Sequence, residues 1–267
     1  MWAAPRDLHN RIFVALMALI ALAWLALWLW GASPYAPYLD HEELGHLASG
    51  GAGAGGLAAR LAPLVALFVS GWTLMVVAMM LPTSLPLVLL FGRLTRRRPD
   101  GRLLLALLLC GYVSVWALFG ALAFLGDLLV HEGAERSAWL GDNPWAIGAG
   151  TLALAGLYQF APLKNRCLQR CRSPLGFITE HWRGERERSR AFRLGAHHGI
   201  FCLGCCWSLM LVMFAVGAGS LLWMLLLGAV MAAEKNAGWG RRISAPVGIA
   251  LLCWAAAMAL GGVPALR

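Results

Sequence analysis

The stretch 201-FCLGCCWSLMLVMF-214 decides how this chain is read. Its apolar run extends over 199–218, the roughly 20 residues a helix needs to cross about 30 Å of hydrocarbon. Yet Cys202, Cys205 and Cys206 stand near its start. Spacings of three and four residues place all three thiols on one face of a helix. Soft, reactive side chains on an otherwise apolar helix imply a bound ligand, a redox role or simple packing.

The same apolar character recurs along the chain. Of 267 residues, 60% are hydrophobic and 13% are charged, with 13 tryptophans and a mean hydropathy of +0.68. A water-soluble domain needs more charge to cover its surface. Helices are predicted over 12–31, 64–91, 103–126, 144–162, 199–218, 220–236 and 244–262. The expectation is an all-α, polytopic transmembrane bundle of about seven helices, forming a single integral membrane domain over 1–267. Arg6 and Arg11 precede the first run as they would in a signal peptide. Its length and the lack of a small-x-small cleavage site predict a retained helix instead.

The net charge of +9 points toward nucleic acid until the charges are placed. Nineteen of the 22 lysines and arginines fall in the N-terminal segment, the 92–102 loop, the 163–198 loop and the 234–243 turn. The alternate connections hold Arg60, Arg136 and Arg267 together with seven carboxylates. That asymmetry is the positive-inside pattern of a multi-pass protein of the inner (plasma) membrane, with its N-terminus cytoplasmic. The basic loops are then read as contacts with the anionic bilayer surface, not with nucleic acid. The segment 47-LASGGAGAGGLAA-59 reads as an external linker.

A second cysteine pair lies in 164-KNRCLQRCRSP-174, where Pro162 and Pro174 bracket a short helix. Cys167 and Cys171, four apart, share one face of it. Folded against Cys202, Cys205 and Cys206, they form a cytoplasmic-side cluster where thiols stay reduced, so that metal binding or redox chemistry is favoured over a structural disulfide. Thiolate and thioether ligands select Cu(I), with Zn(II) as the other candidate. Met75 and Met79 lie in line with Trp72 on the second helix, and Met210 and Met213 continue the cysteine helix. These four are candidates for an outer layer or a path, although a methionine stripe in a membrane helix also serves plain packing. Pro82 and Pro86 should kink the second helix and free carbonyls there. Glu234 and Lys235, an ionisable pair in a short apolar helix, are candidates for ligand, proton acceptor or mutual ion pair.

Other residues carry less. Cys110 and Cys253 are isolated and read as small hydrophobes. His41 and His46, in 41-HEELGH-46, read as part of a solvated acidic loop, and His197 and His198 as interfacial. Motifs of phosphate-binding, nucleophile-elbow or HExxH type do not occur.

The segments 72-WTLMVVAMMLP-82, 158-YQFAPLKNRCLQRCRSP-174, 199-GIFCLGCCWSLM-210 and 223-WMLLLGAVMAAEK-235 resemble a bacterial family of predicted metal-binding integral membrane proteins, a domain of unknown function. The resemblance spans 72–235 and implies a metal role for Cys167, Cys171, Cys202, Cys205 and Cys206.

The expected function is therefore a soft-metal binder acting as chaperone or transporter, and not an enzyme. Its expected partners are the metal ion, the lipid bilayer and a metallochaperone or membrane-complex subunit. A thiol–disulfide oxidoreductase would use the same cysteines but lacks an external cysteine to receive electrons. A scaffold with a structural metal site is the third reading.

Overall fold

A computed structural model of the protein describes residues 4–33, 57–143, 145–182, 187–216 and 220–261. The 41–46 histidines and most of the Gly/Ala segment lie outside them. Among the described residues all regular structure is helical. The helices are α1 (Ala4–Gly31), α2 (Leu57–Met79), α3 (Leu81–Thr95), α4 (Gly101–Glu135), α5 (Ala138–Asp142), α6 (Trp145–Tyr158), α7 (Pro162–Cys171), α8 (Pro174–His181), α9 (Glu187–Val216), α10 (Leu221–Asn236) and α11 (Ser244–Ala259).

Among the described residues, five helical stretches are long and apolar enough to cross a membrane: Asn10–Gly31, Ala62–Met79, Gly101–Ala134, Glu187–Val216 and Gly240–Ala259. A sixth is formed if α6 and α7, bent by 66° at their junction, are taken as one broken span. The expected count of seven is corrected for two physical reasons. The predicted 144–162 helix yields only the 14-residue α6, bent away from α7, whereas the predicted 64–91 helix breaks at Met80, ahead of Pro82, but keeps α2 as a span. The predicted 220–236 helix forms, but its 16 residues fall short of a full crossing.

The proline break behaves as expected. Pro82 and Pro86 cannot donate backbone hydrogen bonds. At the break, the Met80 carbonyl accepts from Thr83 Oγ1 at 2.8 Å and from the Tyr112 hydroxyl at 3.4 Å. Polar backbone is thus exposed inside the helical core and satisfied there.

The predicted cytoplasmic loop 163–198 is also corrected, being mostly helix. The expected Pro162–Pro174 cap is α7, and α9 starts at Glu187, twelve residues before its predicted start. Arginines 188, 190 and 193 hide an amphipathic pattern in which Ala191 and Leu194 are buried. Cys202, Cys205 and Cys206 consequently sit mid-helix instead of in the first two turns.

Small residues set how closely the helices approach. A Cβ on Gly195 of α9 would lie 1.9 Å from the Leu108 carbonyl of α4, and one on Gly111 would lie 2.1 Å from the Phe192 carbonyl. Backbone-to-backbone contact of this kind is a common way to pack helices surrounded by lipid. The Trp72 indole donates to the Trp116 carbonyl at 3.0 Å and fills the space over Gly120, fixing α2 to α4. The outer surface is apolar, with Val14, Leu22, Leu118, Leu129 and Leu222 all more than half exposed. The interior divides into a cluster of α1, α3, α4, α8 and α9 side chains and a larger one that contains the thiols and methionines.

Candidate metal centre

α9 supplies the fixed wall of the centre. Cys202, Cys205 and Cys206 are all buried on the single face that their spacing predicts. α7 is brought onto this wall by a missing side chain: a Cβ on Gly204 would stand 2.6 Å from Cys167 Sγ. One helical turn further, Cys171 Sγ lies 4.0 Å from Cys205 Sγ. The two cysteine segments therefore meet, as their sequence pattern suggests. Tyr158, at the end of α6, donates to the Gly204 carbonyl at 2.6 Å and closes this corner.

Two sulfurs bound to one ion at about 2.3 Å each stand roughly 3.8 to 4.6 Å apart, from tetrahedral to linear geometry. The Cys171–Cys205 separation falls in that window. A second soft pair is Cys206 Sγ with Met80 Sδ, 3.6 Å apart. The thiols of Cys205 and Cys206 donate to the Cys202 carbonyl at 3.1 and 2.8 Å. Cys202 Sγ lies 3.0 Å from Tyr112 Oη and 2.9 Å from Lys235 Nζ, which also approaches Cys206 Sγ at 3.7 Å. Among the described residues no three Cys, His, Asp or Glu side chains are grouped around one point. The sulfurs converge in pairs.

The Glu234–Lys235 pair is split. Glu234 accepts from Lys164 Nζ at 2.7 and 2.8 Å and from Ser244 Oγ at 2.7 Å. Lys164 is completed by Gln159 Oε1. The carboxylate is thus occupied by α7 and α11, and the reading in which it partners Lys235 is corrected. Consecutive residues point about 100° apart on a helix, so they reach different neighbours. Arg172 seals the end of α10, donating to the carbonyls of Glu234 at 2.5 Å and Ala237 at 2.8 Å. Lys235 turns into the sulfur cluster.

Met75, Met79, Met210 and Met213 are buried in the same core as the cysteines. Met79 packs on Gly228 of α10, and the sulfur that reaches a thiol is that of its neighbour, Met80. Met80 follows Met75 and Met79 in the sequence but falls outside the four candidate methionines. Its signal was its place at the proline break, between α2 and α3. Lys164 is likewise missed, because it reads as one more topological charge in a basic segment. His198 is buried beside the centre, its Nε2 3.2 Å from Ser84 Oγ and its ring stacked on Tyr112 at 5.7 Å. His197 packs edge-on to His181 instead.

A sulfur-lined interior in an all-helical, apolar chain has the chemistry of a soft-metal protein. The chain belongs to the PpoB2 family, described as a copper chaperone, whose family model matches residues 69–258. The match takes in both cysteine segments and the proline break, and agrees with the metal-related family that the sequence resembles. No curated protein and no solved structure matches significantly.

Proposed function

We propose that the chain is an inner-membrane copper chaperone or carrier that holds Cu(I) with the thiols of Cys167, Cys171, Cys202, Cys205 and Cys206. The observation that carries this reading is the 4.0 Å approach of Cys171 to Cys205 across two separate helices. Cys167, set against Gly204 of α9, and Cys206, the residue after Cys205, flank that pair. Cu(I) accepts two or three sulfur ligands, whereas a structural zinc site takes four. Paired sulfurs therefore support Cu(I) over Zn(II). Met75, Met79, Met210 and Met213 extend the soft surface through the core as a path or second layer.

In this reading the chain is a single membrane domain with its N-terminus cytoplasmic, supported by the charge asymmetry of its connections and the apolar outer surface of its helices. Copper is the cargo, accepted from and passed to a metallochaperone or a membrane-complex partner.

Elemental analysis of protein purified in detergent under reducing conditions tests the proposal. About one copper per chain is expected in the wild type, and only background metal after Cys→Ser replacement at all five positions. Equal metal in both contradicts it.

A further inference from the structure

Lys235 is 5% exposed, yet among the described residues it faces no carboxylate, because Glu234 is already engaged by Lys164 and Ser244. Its Nζ is surrounded by Cys202 Sγ at 2.9 Å, Thr83 Oγ1 at 3.1 Å, Cys206 Sγ at 3.7 Å and Met80 Sδ at 3.8 Å. Three soft sulfurs and one hydroxyl around a point make a coordination shell for a cation, and an ammonium group fills it. A lysine has three donors and no acceptor, so Cys202 Sγ is the accepting partner. The neighbouring thiols of Cys205 and Cys206 turn their own donors to the Cys202 carbonyl, which leaves the Cys202 sulfur to accept from Lys235.

We propose that Lys235 is a tethered cation that competes with copper for the sulfurs of Cys202 and Met80, with Cys206 flanking, so that loading and release exchange one positive charge for another. This rests on the copper reading above and assigns the residue that keeps binding reversible. Bringing a lone cation into an apolar interior is costly, and leaving a lone thiolate there is costly as well. Cys202 Sγ accepts from the ammonium when copper is absent and binds Cu(I) when it is loaded, and the displaced ammonium keeps Thr83 Oγ1 as its acceptor. Copper stays Cu(I), the lysine keeps its protons, and Cys202 gives up an N–H···S contact for a copper–sulfur bond. Met80 adds a neutral thioether and releases nothing. The placement of Met80 at the proline break gives this sulfur its position, since a continuous helix over 64–91 would not turn there.

The test is the rate at which copper-loaded protein in detergent, under reducing conditions, gives up Cu(I) to a soluble chelator. Lys235→Leu and Lys235→Gln remove the competing charge, and release is expected to slow by about tenfold or more, the effect of one contact to a charged group. Release as fast as in the wild type, or faster, overturns the proposal. Met80→Leu keeps the lysine and removes a sulfur, so release is expected to speed up. An unchanged rate in that variant also overturns the proposal, even where neither lysine variant accumulates. The two readings fail differently. Wild-type protein that takes up no copper contradicts the copper reading itself, whereas loaded protein with equal release rates contradicts only the role of the lysine.

Discussion

Lys164 and Lys235 are both buried beside the end of α10, but in opposite company. Lys164 enters from α7 and is held by both oxygens of Glu234, with Gln159 completing its shell. Lys235 belongs to α10 itself and, among the described residues, meets sulfur and hydroxyl groups. One lysine is matched to a carboxylate of opposite charge and ties α7, α10 and α11 together through Ser244. The other is matched to groups whose preferred partner is a soft metal. The difference separates the structural charge from the functional one, although the two partners on α10 are adjacent residues.

The comparison can be broken most directly at Lys164. Lys164→Met leaves Glu234 buried without its cation, and a loss of about 3–5 kcal/mol of stability is expected. Thermal unfolding in detergent measures it, and Lys164→Met combined with Glu234→Met should recover much of the loss, because an apolar pair can replace a buried ion pair at little cost. A single variant as stable as the wild type removes the structural role assigned here.

At Lys235 the comparison is sharpened by a smaller number. In Lys235→Leu the Cys202 thiol keeps its own proton, so the loss of stability should be smaller than that of Lys164→Met, while copper release changes markedly. Unfolding midpoints measured alongside the chelator assay give both values from the same preparations. Destabilisation as large as that of Lys164→Met erases the distinction.

Much of the fold was legible in the sequence because apolar runs and prolines act locally. The kink at Pro82, the short helix between Pro162 and Pro174, and the one-face spacing of Cys202, Cys205 and Cys206 all follow from helix geometry. The meeting of Cys171 with Cys205 was legible as chemistry, two thiol pairs seeking one ligand. The number of crossings was not, because α6 and α10 are apolar but short, and composition alone does not register a break within a run. The start of α9 was hidden by arginines at 188, 190 and 193, which mark a loop by charge while Ala191 and Leu194 keep the helical period. Partners were the least legible. Glu234 and Lys235 are neighbours in sequence and read as a pair, yet the turn of the helix sends one to α7 and the other to the sulfurs. Met80 was overshadowed by Met75 and Met79, whose spacing fits α2, the helix that ends at Met79.

The central claim is that Cys171 and Cys205 share one copper ion. X-ray absorption at the copper edge, recorded on protein loaded with Cu(I) under reducing conditions, tests it most directly. The account predicts a first shell made of sulfur alone, lost or reduced in sulfur count when Cys171→Ser and Cys205→Ser are combined. A shell of nitrogen and oxygen, or a sulfur shell that the double replacement leaves unchanged, contradicts it.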